Sequence, residues 1–301
     1  VVMLFADRYE ARRRGAAVGW LIASTSVGYA ASLLVTGVAL TWGGYRAAFV
    51  ATGLMPLLGA AVISAALRTT ENRIHERTQA LSLRAILRTN PNARRLVAGY
   101  TAHAWELLGM WAWMPAFLAA SAVLSGALGE EAARSGAYLS AAMHLVGALA
   151  ASSMGRLSDH LCRRAVMVAL AAISASVSML IGWLVAWPIF LLLLLGLVYS
   201  FSAIGDSPVL SVALTEAVEP GYLGAMLALR SLLGFGAGAI APLAFGFVLD
   251  LTNPGNLAPT RWGFAFVTLG AGGVIATAFA TTVRMRRADL AEPARKPAAA
   301  R

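Results

Sequence analysis

The chain has 301 residues, of which 59% are hydrophobic and only 13% charged, and its mean hydropathy is +0.71. Soluble domains carry about 25% charged residues, so a chain of this size cannot cover its own surface with charge. Glycine (29) without a triplet period, proline (11) and the lone Cys162 exclude collagen-like, disordered and disulfide-stapled classes, which leaves an integral membrane protein.

The formal charge of +10 does not point to nucleic acid. All 24 cationic residues except Lys296 are arginine, and they sit in short clusters between long uncharged runs. Topology signals of membrane proteins look like this, whereas a nucleic-acid surface gathers its cations on one face. The apolar run at 1–6 leads into Arg8, Arg12, Arg13 and Arg14, with no signal-peptide cleavage site.

Stretches of about 20 apolar residues cross a ~30 Å hydrocarbon core as helices. Eight are predicted, at 16–40, 45–67, 96–122, 136–155, 165–186, 188–212, 222–249 and 262–283. Ten-residue blocks of alternating polarity are absent, which disfavours a β-barrel. The fold class is therefore an all-α membrane protein. Glycine and proline inside the spans, such as Gly28, Gly236 and Pro242, are tolerated in bilayer helices. Gly234 and Gly238, four apart, would let two helix backbones approach closely.

Connections at 1–15, 68–95, 156–164, 213–221 and 284–301 fall on one side and hold 20 of the 24 cations. The other side has only Arg46, Arg134 and Arg261. The positive-inside rule then puts both termini in the cytoplasm of a multi-pass protein of the cell (inner) membrane. In the polar connection, Ser82 reads as the cap of a short helix that stops before Asn90-Pro91. The tail 288–301, with Pro293, Pro297 and an alanine run, reads as disordered.

An internal repeat adds to this plan. Residues 5–16 align without gaps on 214–225: Asp7 meets Glu216, Glu10 meets Glu219, and Gly15-Ala16 meets Gly224-Ala225. After each copy a glycine-bearing span leads to an aromatic cluster, Tyr45–Phe49 in one and Trp262–Phe266 in the other. The two spans before the long connection thus correspond to the last two of the six after it. Four spans of a first six-helix half are unaccounted for, and Val1 looks like the inner end of the fourth.

A six-plus-six plan with a basic central loop resembles the major facilitator superfamily of secondary transporters. The segment Gly155-Arg-Leu157-Ser-Asp159-His-Leu-Cys-Arg163-Arg164 is similar to its loop motif G-x-L-x-D-[RK]-x-G-R-[RK]. His160 and Cys162 depart from it, as the second-half copy often does. Trp42-Gly-Gly-Tyr-Arg46-Ala-Ala-Phe49, following Arg14-Gly15-Ala16, is similar to the family's passage from fourth to sixth helix. The resemblance implies a truncated 6+6 helical bundle: 1–68 the remnant of the first half, 69–95 the central cytoplasmic loop, 96–287 the second half and 288–301 the tail. It also implies that the 301 residues do not transport by themselves, half of the cavity wall being absent.

At such a loop a carboxylate and two arginines suit a latch that holds one conformation and breaks in the other. Arg163 or Arg164 is expected to meet Glu216 or Glu219 within the second half, at the site framed by Gly155. Asp159 is expected to point across the halves to the helix start around Arg14–Ala17. The alternative is that both arginines only anchor the cytoplasmic side.

Ionisable groups inside spans are costly unless paired or wet, and mark functional candidates. Tyr100, His103, Glu106, Met110 and Trp113 fall near one helical stripe. His103 and Glu106 could share a proton, or form an interfacial polar pair. Asp206, with Ser200, Ser202, Ser207 and Pro208 nearby, and Arg230 are either a structural ion pair or, for Arg230, an anion contact. His144 is as well explained by packing as by ligand contact.

The function these readings converge on is a secondary active transporter moving a small solute by alternating access, coupled to protons or to another ion. The alternatives are a non-transporting scaffold or sensor and an inactive fragment. No nucleotide-binding loop, catalytic constellation, cofactor motif or metal-ligand spacing is present in the sequence, so an enzyme is not expected.

Overall fold

Long apolar runs leave the backbone no partner in lipid except itself, so helices are the outcome. A computed structural model describes residues 2–68, 83–255 and 260–284, and all regular structure among them is helical. The predicted cap at Ser82 and the tail 288–301 lie outside the described residues. Among the described residues nine helices run in chain order: α1 (Val2–Arg8), α2 (Ala11–Arg68), α3 (Leu83–Thr89), α4 (Pro91–Leu124), α5 (Gly129–His160), α6 (Arg163–Ile181), α7 (Ile189–Ala217), α8 (Pro220–Thr252) and α9 (Gly263–Thr282). A 3₁₀ turn, Gly182–Leu184, extends α6.

Seven of these helices are long and apolar enough to cross a membrane. The first, α2, is 58 residues long but is two helices joined at a kink. Gly44 takes φ 58, ψ −155 there, a conformation that glycine alone adopts without strain. The spans expected at 16–40 and 45–67 are the two sides of this break, so eight apolar segments result.

Several ends differ from the expected ones, for local reasons. The central loop, expected to run to residue 95, ends earlier because α4 starts at Pro91. Asn90 caps it, its side chain accepting from the Ala93 amide at 2.9 Å, and proline suits the first helical position. Helix α5 extends past both ends of the expected span, with Glu130 and Glu131 in its first turn, where the helix dipole favours acids. Helix α7 continues through Pro208 to Ala217 without a break.

Helices α4–α9 pack on one another, α4 against α8 and α9, α5 against α7, and α6 against α7 and α9. Two apolar clusters fill the bundle. One holds Phe117, Phe245, Trp262 and Phe266, whose rings meet edge-on at centroid distances of 5.0 Å (Phe117–Phe266) and 5.1 Å (Phe245–Phe266). The other holds Leu96, Met167, Leu214 and Met226. Lipid tails are as apolar as leucine, so close van der Waals fit rather than dehydration holds these helices together.

The first segment of α2 packs along α5, and the neighbours run in opposite order. Gly15 meets Gly155, Gly19 meets Ala151, and Gly37 meets Tyr138. A Cβ on Gly155 would run into the Gly15 carbonyl, and one on Gly19 into the Ala151 carbonyl. Small residues four apart on each helix thus bring two backbones into contact. The pair expected to do this, Gly234 and Gly238, instead leaves room for the side chains of Tyr100 and Leu108. Beyond Gly44, α2 is largely exposed, with Phe49 and Leu58 among its uncovered apolar residues.

Candidate functional site

The contact between α2 and α5 carries a dense polar cluster at one end. Asp159, in the last turn of α5, accepts hydrogen bonds from the amides of Gly15 (Oδ1, 2.9 Å) and Ala16 (Oδ2, 2.9 Å). Its side chain is only 2% exposed. A Cβ on Gly15 would collide with this carboxylate, so glycine there is what lets Asp159 reach the backbone.

Arg163, the first residue of α6, holds the cluster from the other side. It donates to Glu216 through Nε and Nη2, both at 2.9 Å. Nη2 also donates to Asp159 at 2.9 Å and Nη1 to Ser158 at 2.6 Å. Every guanidinium nitrogen is thus used, and three helices are tied: α2 through Asp159, α5 directly, and α7 through Glu216. Bidentate charge-assisted pairs of this kind are the strong ones.

A second set of polar groups lies inside the bundle. Glu106 is buried and accepts from Ser174 at 2.7 Å, and the Tyr199 hydroxyl donates to Ser178 at 2.9 Å. His103 Nε2 lies 2.8 Å from the Ser207 hydroxyl, and its Nδ1 lies 3.7 Å from Asp206 Oδ2. Arg230 stacks over the Tyr100 ring, 3.6 Å from its centroid, and donates to Ser211 at 2.9 Å.

A family model of the Major Facilitator Superfamily matches residues 1–219, from α1 through α7. The chain belongs to the Major Facilitator Superfamily. It is accordingly a multi-pass membrane transporter protein, acting on a small-molecule solute. Among curated proteins, none matches its sequence significantly.

Within this major facilitator chain the candidate residues separate into groups. Gly155, Asp159, Arg163 and Glu216 come together. Arg164 is exposed beside them, and Glu219 is exposed at the start of α8, where its side chain makes no capping bond. Asp159 stands in the last turn of α5, and the helix start it faces belongs to α2. Cys162, standing where the motif has glycine, has φ −62, a backbone open to any residue, so this departure costs nothing.

The shared proton between His103 and Glu106 is not what the geometry offers. The two have different partners, Ser207 and Asp206 of α7 for His103 and Ser174 of α6 for Glu106. The Arg230–Asp206 ion pair is absent among the described residues, Arg230 being taken up by Tyr100 and Ser211. Trp113 donates to the Pro242 carbonyl at 3.0 Å and stacks on Phe245, a packing role inside the half. His144 stacks on Tyr29, centroids 5.0 Å apart, with Trp111 edge-on at 5.1 Å. Ser158, Ser174, Tyr199, Tyr29 and Trp111 were not singled out by sequence. The signal available was a hydroxyl or ring at the same depth as each ionisable group.

Proposed function

We propose that this chain serves in proton-coupled secondary transport by alternating access across the cell membrane, with both termini cytoplasmic. The observation that carries the reading is Asp159 on the Gly15 and Ala16 amides, backed by Arg163 and Glu216. The contact spans residues 1–68, read as first-half helices, and 96–287, read as the second half. It closes the cytoplasmic side and opens when the halves separate there, while Arg163–Glu216 stays within its half.

Glu106 is the proton carrier of this reading. A buried carboxylate without a cation beside it is costly, and Glu106 has the Ser174 hydroxyl as partner and no ion pair among the described residues. His103, on the same helix, and Asp206, on α7, form the second titratable set, and Arg230 stands on α8. Binding and release of a proton at Glu106 then shifts the helix packing and the gate.

The test uses Cys162, which is exposed and next to the gate. The 301-residue chain in lipid nanodiscs, carrying an environment-sensitive fluorophore on Cys162, should change emission as pH is stepped from about 5.5 to about 8.5. Glu106→Gln should remove most of that change. A response unaltered in Glu106→Gln would reject the carboxyl as the coupling group.

A further inference from the structure

Three buried polar atoms without hydrogen-bond partners belong to residues that line one small cavity between α4, α5 and α7. They are the Trp111 indole Nε1, the Ser140 hydroxyl and the His144 Nδ1. All three residues line a cavity of ≈ 10 Å³, whose remaining wall includes Met110, Met114 and Met143. Ser140 is 2% and His144 5% exposed. Buried polar groups are almost always paired in folded proteins, so three unpaired ones around a single cavity mark a place built for a polar atom. That volume holds about one oxygen and its lone pairs, not a molecular body.

The cavity has an aromatic edge shared with α2. Tyr29 stacks on His144 with an interplanar angle of 11° and meets Trp111 at 4.4 Å between centroids. Tyr29 is 42% exposed, so the edge is reachable from outside the bundle. The antiparallel register of α2 and α5 puts Tyr29 and His144 midway between the Gly15–Gly155 and Gly44–Glu130 ends. That is midway along the seam where α2 meets the six-helix bundle.

We propose that this cavity and its aromatic edge form a solute-contact site for a neutral molecule with an apolar, preferably aromatic, body and one carbonyl or hydroxyl oxygen. The proposal rests on the carrier reading above and gives it a substrate class. The oxygen enters the cavity and accepts from the indole N–H, with the Ser140 hydroxyl as second partner. The body lies against the rings of Tyr29 and Trp111, where aromatic and methionine side chains favour apolar contact. No charged side chain lines the cavity, so an ionised group there would be buried unpaired. The three rings touch one another instead of opening into a cage, which disfavours a quaternary cation.

The probes are acetophenone, benzoate and benzylammonium, which share a ring and differ in charge. Binding to the 301-residue chain in nanodiscs is followed by ligand-observed NMR, with empty nanodiscs as reference. Acetophenone should bind saturably, and benzoate and benzylammonium at least about tenfold more weakly. Trp111→Phe and Ser140→Ala should each weaken acetophenone about three- to tenfold, the worth of one neutral hydrogen bond. Acetophenone affinity unchanged from wild type in both variants, no saturable binding to the wild-type chain, or comparable binding of either ion would overturn the proposal. The Cys162 signal is read on the same samples. A silent gate with selective acetophenone binding would reject alternating access and keep the site, and the reverse would reject the site alone.

Discussion

Arg163 makes four hydrogen bonds to three residues, and no other side chain reproduces that fork. Lysine offers one compact ammonium and cannot face Glu216 bidentately while reaching Ser158 and Asp159. Arg163→Lys should lower the stability of the chain in detergent by ~1–3 kcal/mol, and Arg163→Ala by ~3–5 kcal/mol because two acids lose their cation. Denaturant titration followed by helical circular dichroism measures both. Equal stability of the arginine, lysine and alanine forms would show that the cluster holds nothing together. Sequence spacing singled out Asp159, Arg163 and Glu216, since a loop motif and an aligned repeat put acids and arginines at one end of the bundle. It could not choose between Arg163 and Arg164, because that depends on which residue begins α6 facing inward. It also set His103 and Glu106 together, since a stripe reports the face of one helix and not which neighbour each residue meets.

Element by element, the helices were readable because lipid leaves apolar runs of this length few alternatives. Their ends were less so, since caps such as Asn90 extend a helix beyond its apolar stretch. Helix contacts were the least readable. Glycine spacing at 234 and 238 suggested close backbone approach, yet the backbones that touch belong to Gly15, Gly19, Ala151 and Gly155. Two substitutions separate these cases. Gly155→Ala puts a methyl group against the Gly15 backbone and should cost ~1–3 kcal/mol, loosening α2 from α5. Gly236→Ala meets nothing within 4 Å and should be neutral or stabilise by ~0.5–1 kcal/mol, because alanine loses less backbone freedom in a helix. Thermal midpoints of the two variants test the pair. A Gly155→Ala form as stable as Gly236→Ala would mean that the α2–α5 contact is not tight.

Across the whole molecule, a polar cluster at one end joins α2 to the six-helix bundle. Membership of the superfamily, the family-like loop motif and the Asp159 contact all bear on the same joint. If that joint is a gate, its state depends on the Asp159 carboxylate accepting from two backbone amides. Asparagine has a similar shape but carries no charge, and its amide nitrogen cannot accept from a backbone N–H. Asp159→Asn should therefore shift the equilibrium toward the form open to the cytoplasm. Spin labels on Cys162 and on an introduced Arg12→Cys flank the joint, both positions being exposed. Pulsed dipolar spectroscopy of the chain in nanodiscs should give one short distance with Asp159 present. With Asp159→Asn a second population should appear, longer by about a helix diameter, ~10 Å. Identical distance distributions in the two forms would contradict the gate.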